Sequence, residues 1–140
     1  KEIYDILEDE DYILRPANLH SSAPGRGLVI YDGLKFRLCV INLLGTAFMD
    51  PLDNPFDTVD RLLEQTDGCK FVVVDFHAEA TSEKRVMGYF LDGKVSAVFG
   101  THTHIQTDSY SNCYPKQYKS NNPFHIHAPF TFLYNVCFKY

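Results

Sequence analysis

The sequence predicts an α/β fold, because two short apolar runs typical of strands are separated by a helical segment. The runs are KFVVVDF and VSAVFG, and TSEKRVMGYFLDG lies between them. Strand, helix and strand in this order form a βαβ unit, whose two strands run parallel through a right-handed crossover. The first run is too short for a helix and too continuously apolar for an exposed edge, so we expect both runs to be buried strands.

Two further β-rich runs precede this unit, on either side of Asp32 and Gly33. An Asp-Gly pair between such runs is a strong signal for a tight hairpin turn. We therefore expect strands near residues 28–31 and 35–43. Before them, KEIYDILED is typical of a helix, and it has no capping residue in front of it, so we expect the chain to begin inside an element.

Two helices are expected after the hairpin. PFDTVDRLLEQTDG has apolar residues at helical spacing, with the acidic Asp57 early and Gly68 late. The helix of the βαβ unit should begin at Thr81 or Ser82, which can cap it, and should end at Gly93.

Composition limits the classes of function. The 140 residues carry a net charge of −5, which argues against charge-driven, stable binding of nucleic acid. The sequence has neither an apolar run long enough to span a membrane nor a basic and apolar signal peptide, so we expect no membrane association. Four widely spaced cysteines form no metal-binding or disulfide pattern and are expected to be reduced thiols of a cytoplasmic protein: Cys39, Cys69, Cys113 and Cys137.

The C-terminal part of the chain differs in composition from the rest. From Ser109 to Tyr140 there is no Asp or Glu, while Tyr, Phe and Asn accumulate. Such a change predicts a boundary, so we divide the chain into a domain at residues 1–108 and an atypical aromatic-rich tail at residues 109–140.

Three histidines follow the two strands of the βαβ unit. His77 comes after the first strand, and His102 and His104 come after the second. Because parallel strands end at the same edge of a sheet, these imidazoles should converge where open α/β sheets bind ligands. Neutral imidazole suits Zn, Mn or Fe, although a histidine at a strand end can equally be a structural residue. A second H-x-H, at His125 and His127, lies in the tail and is interpreted as unrelated.

The stretches DFHAEATSEK and GTHTH, taken together, resemble the YmdB-type branch of the calcineurin-like metallophosphoesterases. LRPAN, PGRG, VINLLG, PLDNPFD and DGKVSAVFGTHTHIQT occur in that family's order and spacing. The resemblance implies a four-layer α/β/β/α sandwich with two divalent transition metal ions, Mn, Fe or Zn, that hydrolyses phosphodiesters. It also implies that His77 and His102 bind one metal and His104 the other, and that cyclic nucleotides are the substrate class.

The chain also departs from the family pattern. The motifs GD, GEN and GNH, which carry the remaining metal ligands of the family, do not occur, and Thr46 stands where a basic residue is expected. We therefore expect residues 1–108 to be a partial metallophosphoesterase domain that holds a single metal weakly and is inactive alone. The alternative is a non-catalytic remnant or interaction module with a vestigial metal site.

Several polar residues near the predicted site have both a functional and a structural interpretation. Asp75 and Glu79 are candidates for orienting a metal-binding imidazole without contacting the metal, or else they cap backbone and favour a helix start. Glu83 is interpreted as a helix-start charge or as a residue of the site, and Arg26 as a turn residue or a phosphate contact. The expected partner is a small phosphodiester, and exposed apolar faces would favour self-association into a homo-oligomer.

Overall fold

The computed structural model describes residues 2–50 and 52–102, and of Glu2 and His102 it describes the backbone alone. This part of the chain contains three helices and one four-stranded sheet with the strand order β1-β2-β3-β4. In chain order the elements are α1 Glu2–Asp9, β1 Leu28–Asp32, β2 Arg37–Leu44, α2 Pro55–Leu63, β3 Phe71–Ala78, α3 Thr81–Phe90 and β4 Ala97–His102. The predicted α/β fold class is confirmed.

β1 and β2 form the predicted antiparallel hairpin. Asp32 pairs with Arg37, and the Gly33 N–H donates to the Phe36 carbonyl at 3.0 Å. Because this turn occupies residues 33–36, β2 begins two residues later than the sequence suggested.

The βαβ unit has the predicted connectivity, since β3 lies parallel to both β2 and β4. Both of its strands nevertheless run further than the apolar runs indicated. His77 pairs with Leu44 on one side and Thr101 on the other, and His102 pairs with Ala78. The prediction that these histidines follow the strands is therefore wrong: they lie in the last rungs of the ladder, which continues because polar residues can pair there as well as apolar ones.

The core lies between one face of the sheet and the helices α2 and α3. It consists of alternate strand residues together with residues of and beside the two helices: Cys39, Ile41, Leu43, Val59, Val72, Val74, Phe76, Ala78, Met87, Leu91 and Val98. Sheet residues with this period of two face the helices on one side only. On β3 the other face carries Phe71, Val73, Asp75 and His77, all partly exposed. β3 lies inside the sheet and is not an exposed edge, as predicted, but only one of its faces is buried. The partly exposed face changes from apolar to polar towards the carboxyl end of the strand.

The loop before β1 contacts the part of β2 that β1 does not reach, beyond the pairing of Leu28 with Ile41. Ala17 donates its N–H to the Asn42 carbonyl at 2.8 Å. Next to it, the fully buried Asn18 donates from Nδ2 to the carbonyls of Leu44 at 2.8 Å and Asp53 at 3.0 Å, and its Oδ1 accepts from the Leu44 N–H at 2.9 Å. A side-chain amide thus satisfies both backbone groups of Leu44, which a neighbouring strand would otherwise do.

α2 begins after Asn54, whose Oδ1 accepts the Phe56 N–H at 2.9 Å, and Asp57 lies in its first turn as predicted. In the part of the chain that the structure describes, none of the helices combines the length and the apolar character that crossing a membrane requires.

Candidate active site

His77 is held by a contact between neighbouring strands. Its Nδ1 lies 2.9 Å from the Thr101 hydroxyl oxygen, directly across the β3-β4 ladder. A hydroxyl that hydrogen-bonds one ring nitrogen orients an imidazole, and metal-binding histidines commonly use one nitrogen in this way while the other contacts the metal. Sequence reasoning missed Thr101, because its relation to His77 depends on the register of two strands. The available signal was its position between the strand and His102 in GTHTH.

The backbone of His102 lies one residue further along the same edge, opposite Ala78. The side chain of His102 and the whole of His104 lie outside the described residues, so their roles as metal ligands stay predictions, as does that of His77. Among the side chains that the structure describes, no group of three or more His, Cys, Asp or Glu residues could hold a metal ion.

Asp75 lies on the partly exposed face of β3, two residues before His77. Its Oδ2 accepts a hydrogen bond from Asn42 Nδ2 on β2 at 2.9 Å. Burial raises the pKa of Asp75 above the ordinary carboxyl value, and the Asn42 hydrogen bond and the charge of His77 oppose that rise. The sequence did not identify Asn42. Glu79 is exposed on the turn between β3 and α3. The roles of Asp75 and Glu79 in orienting a metal ligand stay predictions.

α3 does not begin with a side-chain cap. Its N-cap residue is Ala80, so the expectation of a cap at Thr81 or Ser82 is wrong. Glu83 lies in the first turn of α3, which agrees with its interpretation as a helix-start charge, and its side chain also reaches the loop after β2. Its Oε1 accepts from the N–H and the hydroxyl of Thr46, at 2.9 and 3.2 Å. Thr46, at the position where a basic residue was expected, thus donates to a carboxylate.

Lys84 lies beside Glu83 and is almost completely buried, with 1 % of its surface exposed. Its Nζ donates to the Thr101 carbonyl at 3.5 Å. Burial lowers the pKa of the Lys84 ammonium, because taking the charge out of water disfavours it. Arg26, the other basic candidate, forms an ion pair with Asp11 at 2.7 Å.

A polar cluster at the carboxyl edge of parallel strands defines an α/β protein whose site occupies the usual ligand-binding position of that class. The chain belongs to the YmdB-like family: the family model described as YmdB-like protein matches residues 1–114. Within the described part of the chain, the sheet and the helices α2 and α3 form one β layer and one α layer, as expected for part of an α/β/β/α sandwich.

Individual relatives and solved structures are similar to this chain over about three quarters of its length. The chain is 46% identical over 108 residues to a 2',3'-cyclic-nucleotide 2'-phosphodiesterase of Bacillus subtilis, covering 76% of this chain and 41% of the relative. A crystal structure of a hypothetical protein from Thermus thermophilus matches with a TM-score of 0.71 and 44% identity, over 77% of this chain and 42% of the other. A crystal structure of a novel phosphatase from Mycoplasma pneumoniae matches with a TM-score of 0.67 and 36% identity, over 75% and 39%. The chain therefore spans about two fifths of the length of these relatives.

Proposed function

We propose that this chain forms part of a metal-dependent phosphodiester hydrolase that acts on small substrates of the cyclic-nucleotide type. The observation that carries the proposal is the arrangement of His77 and His102 at the ends of adjacent parallel strands, with Thr101 on the Nδ1 of His77. The 46% identical relative named as a cyclic-nucleotide phosphodiesterase supports the substrate class.

The donor chemistry at this edge fits a transition metal. An imidazole whose Nδ1 contacts a hydroxyl offers Nε2 as the metal ligand, and the Asp75 carboxylate lies two residues away on the same face. His77, His102 and His104 are the residues that would hold the ion, which we take to be Mn, Fe or Zn. When bound, divalent ions supply charge stabilisation to the phosphodiester and generate a nucleophile from water near neutral pH.

The residues of this chain contribute orientation and electrostatics. Thr101 fixes the plane of the His77 ring, and the hydrogen bond from Asn42 stabilises the negative charge of Asp75 despite burial. An ionised Asp75 near His77 would favour the binding of a cation at this edge. Because the GD, GEN and GNH motifs do not occur in the sequence, we expect one weakly held ion and very slow turnover by the chain alone.

Metal titration tests this proposal. Calorimetry should show that the wild-type chain binds Zn²⁺ or Mn²⁺. The His77→Ala variant should lose this metal binding, and the His20→Ala variant should retain it. His20 is a matched control, since it is an exposed histidine bonded locally to Ser22. Hydrolysis of bis-p-nitrophenyl phosphate with Mn²⁺ should be slow and should fall further in His77→Ala.

The second candidate is a non-catalytic interaction module, which is favoured by the apolar part of the exposed sheet face, at Phe71 and Val73. Absence of metal binding by the wild-type chain would overturn the hydrolase proposal and support this module. Rapid Mn²⁺-dependent turnover would instead refute the expectation of an incomplete centre.

A further inference from the structure

The first turn of α3 is bonded to both strand ends beside the candidate site. Glu83 accepts hydrogen bonds from the loop after β2, at Thr46 and at the Ala47 N–H, the latter at 3.3 Å. Its neighbour Lys84 donates to the carbonyl of Thr101 on β4. Two adjacent side chains of one helical turn therefore connect the ends of β2 and β4, and β3 with His77 lies between those strands.

The loop held by Glu83 is itself bonded to His77. The Gly45 N–H donates to the His77 carbonyl at 2.8 Å. Gly45 directly precedes Thr46 and Ala47, whose N–H groups donate hydrogen bonds to Glu83. A Cβ on Gly45 would lie 2.5 Å from Glu83 Oε2 and 2.5 Å from the Cβ of Ala78. Since real Cβ atoms do not approach so closely, the carboxylate packs against the backbone in a space that only glycine leaves open.

We propose that Glu83 is a positioning residue for His77: its carboxylate fixes the Gly45–Ala47 loop on α3, and the loop fixes the His77 backbone. The inference rests on the proposed function only in treating His77 as a metal ligand. The route is continuous, from Glu83 to the amides of Thr46 and Ala47, through the chain to Gly45, and from there to His77.

The choice of a carboxylate matters because both oxygens are used. Oε1 accepts hydrogen bonds from the N–H and the hydroxyl of Thr46, and Oε2 accepts a hydrogen bond from the Ala47 N–H. Hydrogen bonds to an ionised acceptor are about twice as strong as those between neutral groups. Glutamine at this position keeps one acceptor oxygen and loses the charge, whereas alanine loses every bond. Glutamine has almost the volume of glutamate, so an effect of side-chain volume alone would leave Glu83→Gln unchanged. A measurable change in Glu83→Gln, smaller than that in Glu83→Ala, therefore distinguishes positioning by hydrogen bonds from an effect of volume.

The experiment uses the full chain labelled with ¹⁵N, as wild type, Glu83→Ala, Glu83→Gln and the control Glu64→Ala. Glu64 is an exposed glutamate at the C-cap of α2. In the metal-free proteins, long-range ¹H–¹⁵N spectra report the ring nitrogens of His77, and His20 serves as an internal reference. Zn²⁺ affinity is then measured by competition titration.

We expect Glu83→Ala to shift the His77 ring resonances. It should also lower Zn²⁺ affinity about tenfold, because loss of a residue that orients a metal ligand typically has an effect of this size. Glu83→Gln should show a smaller change of the same kind, and Glu64→Ala should show none. Unchanged His77 resonances in a folded Glu83→Ala protein would overturn the proposal. If that variant does not fold, Glu83→Gln decides in the same way. If the wild type binds no Zn²⁺, the proposed function fails, while the His77 resonances still decide the positioning role.

Discussion

Replacing Thr101 by valine tests whether the Thr101 hydroxyl determines which tautomer His77 adopts. Valine has almost the same shape and is equally suited to a strand, so the change removes little besides the 2.9 Å contact with Nδ1. A hydrogen bond of this kind contributes a net stabilisation of about 1 kcal/mol. For a chain of 140 residues, that loss lowers the melting temperature by about 3–4 °C.

The same energy acts on the tautomers of His77. If Nδ1–H donates to the hydroxyl oxygen of Thr101, the contact favours the tautomer in which Nε2 is unprotonated and able to bind a metal. Loss of about 1 kcal/mol should reduce that tautomer about fivefold relative to the other, since about 1.4 kcal/mol corresponds to a factor of ten.

The assay is ¹⁵N chemical-shift measurement of the His77 ring in Thr101→Val, combined with thermal unfolding followed by circular dichroism. Thr101→Ser keeps the hydroxyl and is the matched control, so it should retain the wild-type tautomer ratio. The reasoning is refuted if Thr101→Val retains the wild-type ratio, or if Thr101→Ser changes it as much as valine does.

Three further outcomes are expected. Gly45→Ala should lower the free energy of unfolding by about 1–3 kcal/mol in urea titrations, because the new methyl group overlaps the Glu83 carboxylate; an equally stable variant would contradict this packing. The raised pKa of Asp75 gives stability that is fully present below the ordinary carboxyl pKa and is lost as pH rises through the raised value, so Asp75→Asn should gain stability relative to wild type over that acidic range. A constant difference between the two proteins across those titrations would argue against it. Burial raises the pKa of the Cys39 thiol to about 11, so peptide mapping after iodoacetamide treatment should find Cys39 alkylated more slowly than the partly exposed Cys69; the reverse order would be inconsistent with the buried position.

Local patterns in the sequence were sufficient to predict most of the fold. The Asp32-Gly33 pair predicted the hairpin, and the apolar runs predicted β3 and β4 as parallel strands joined by α3. The strands were predicted to end too early, because the apolar runs stop at polar residues while the backbone hydrogen bonds between the strands continue through them. The start of α3 at Thr81 agrees with the prediction, but the cap does not, since Thr81 and Ser82 have capping chemistry while Ala80 occupies the N-cap position.

The candidate site could be predicted only in part, for a related reason. The convergence of the backbones of His77 and His102 follows from parallel strands, which the sequence indicates. The contacts of Asn42 and Glu83 depend on partners more than thirty residues away and on the register between strands, which no local pattern specifies. Buried Lys84 was also missed, because lysine is rarely buried, although its spacing from Met87 and Leu91 places it on the buried face of α3.

The side chain of Asn18 has a consequence for the order in which the chain folds. Its bonds to Leu44 and Asp53 span 26 and 35 residues, so closing them costs more chain entropy than forming the hairpin between β1 and β2. Until the loop docks, the end of β2 is an open edge that another strand can pair with. Protection of the Leu44 amide against hydrogen exchange therefore marks the moment at which the edge beside the candidate site becomes closed to other chains.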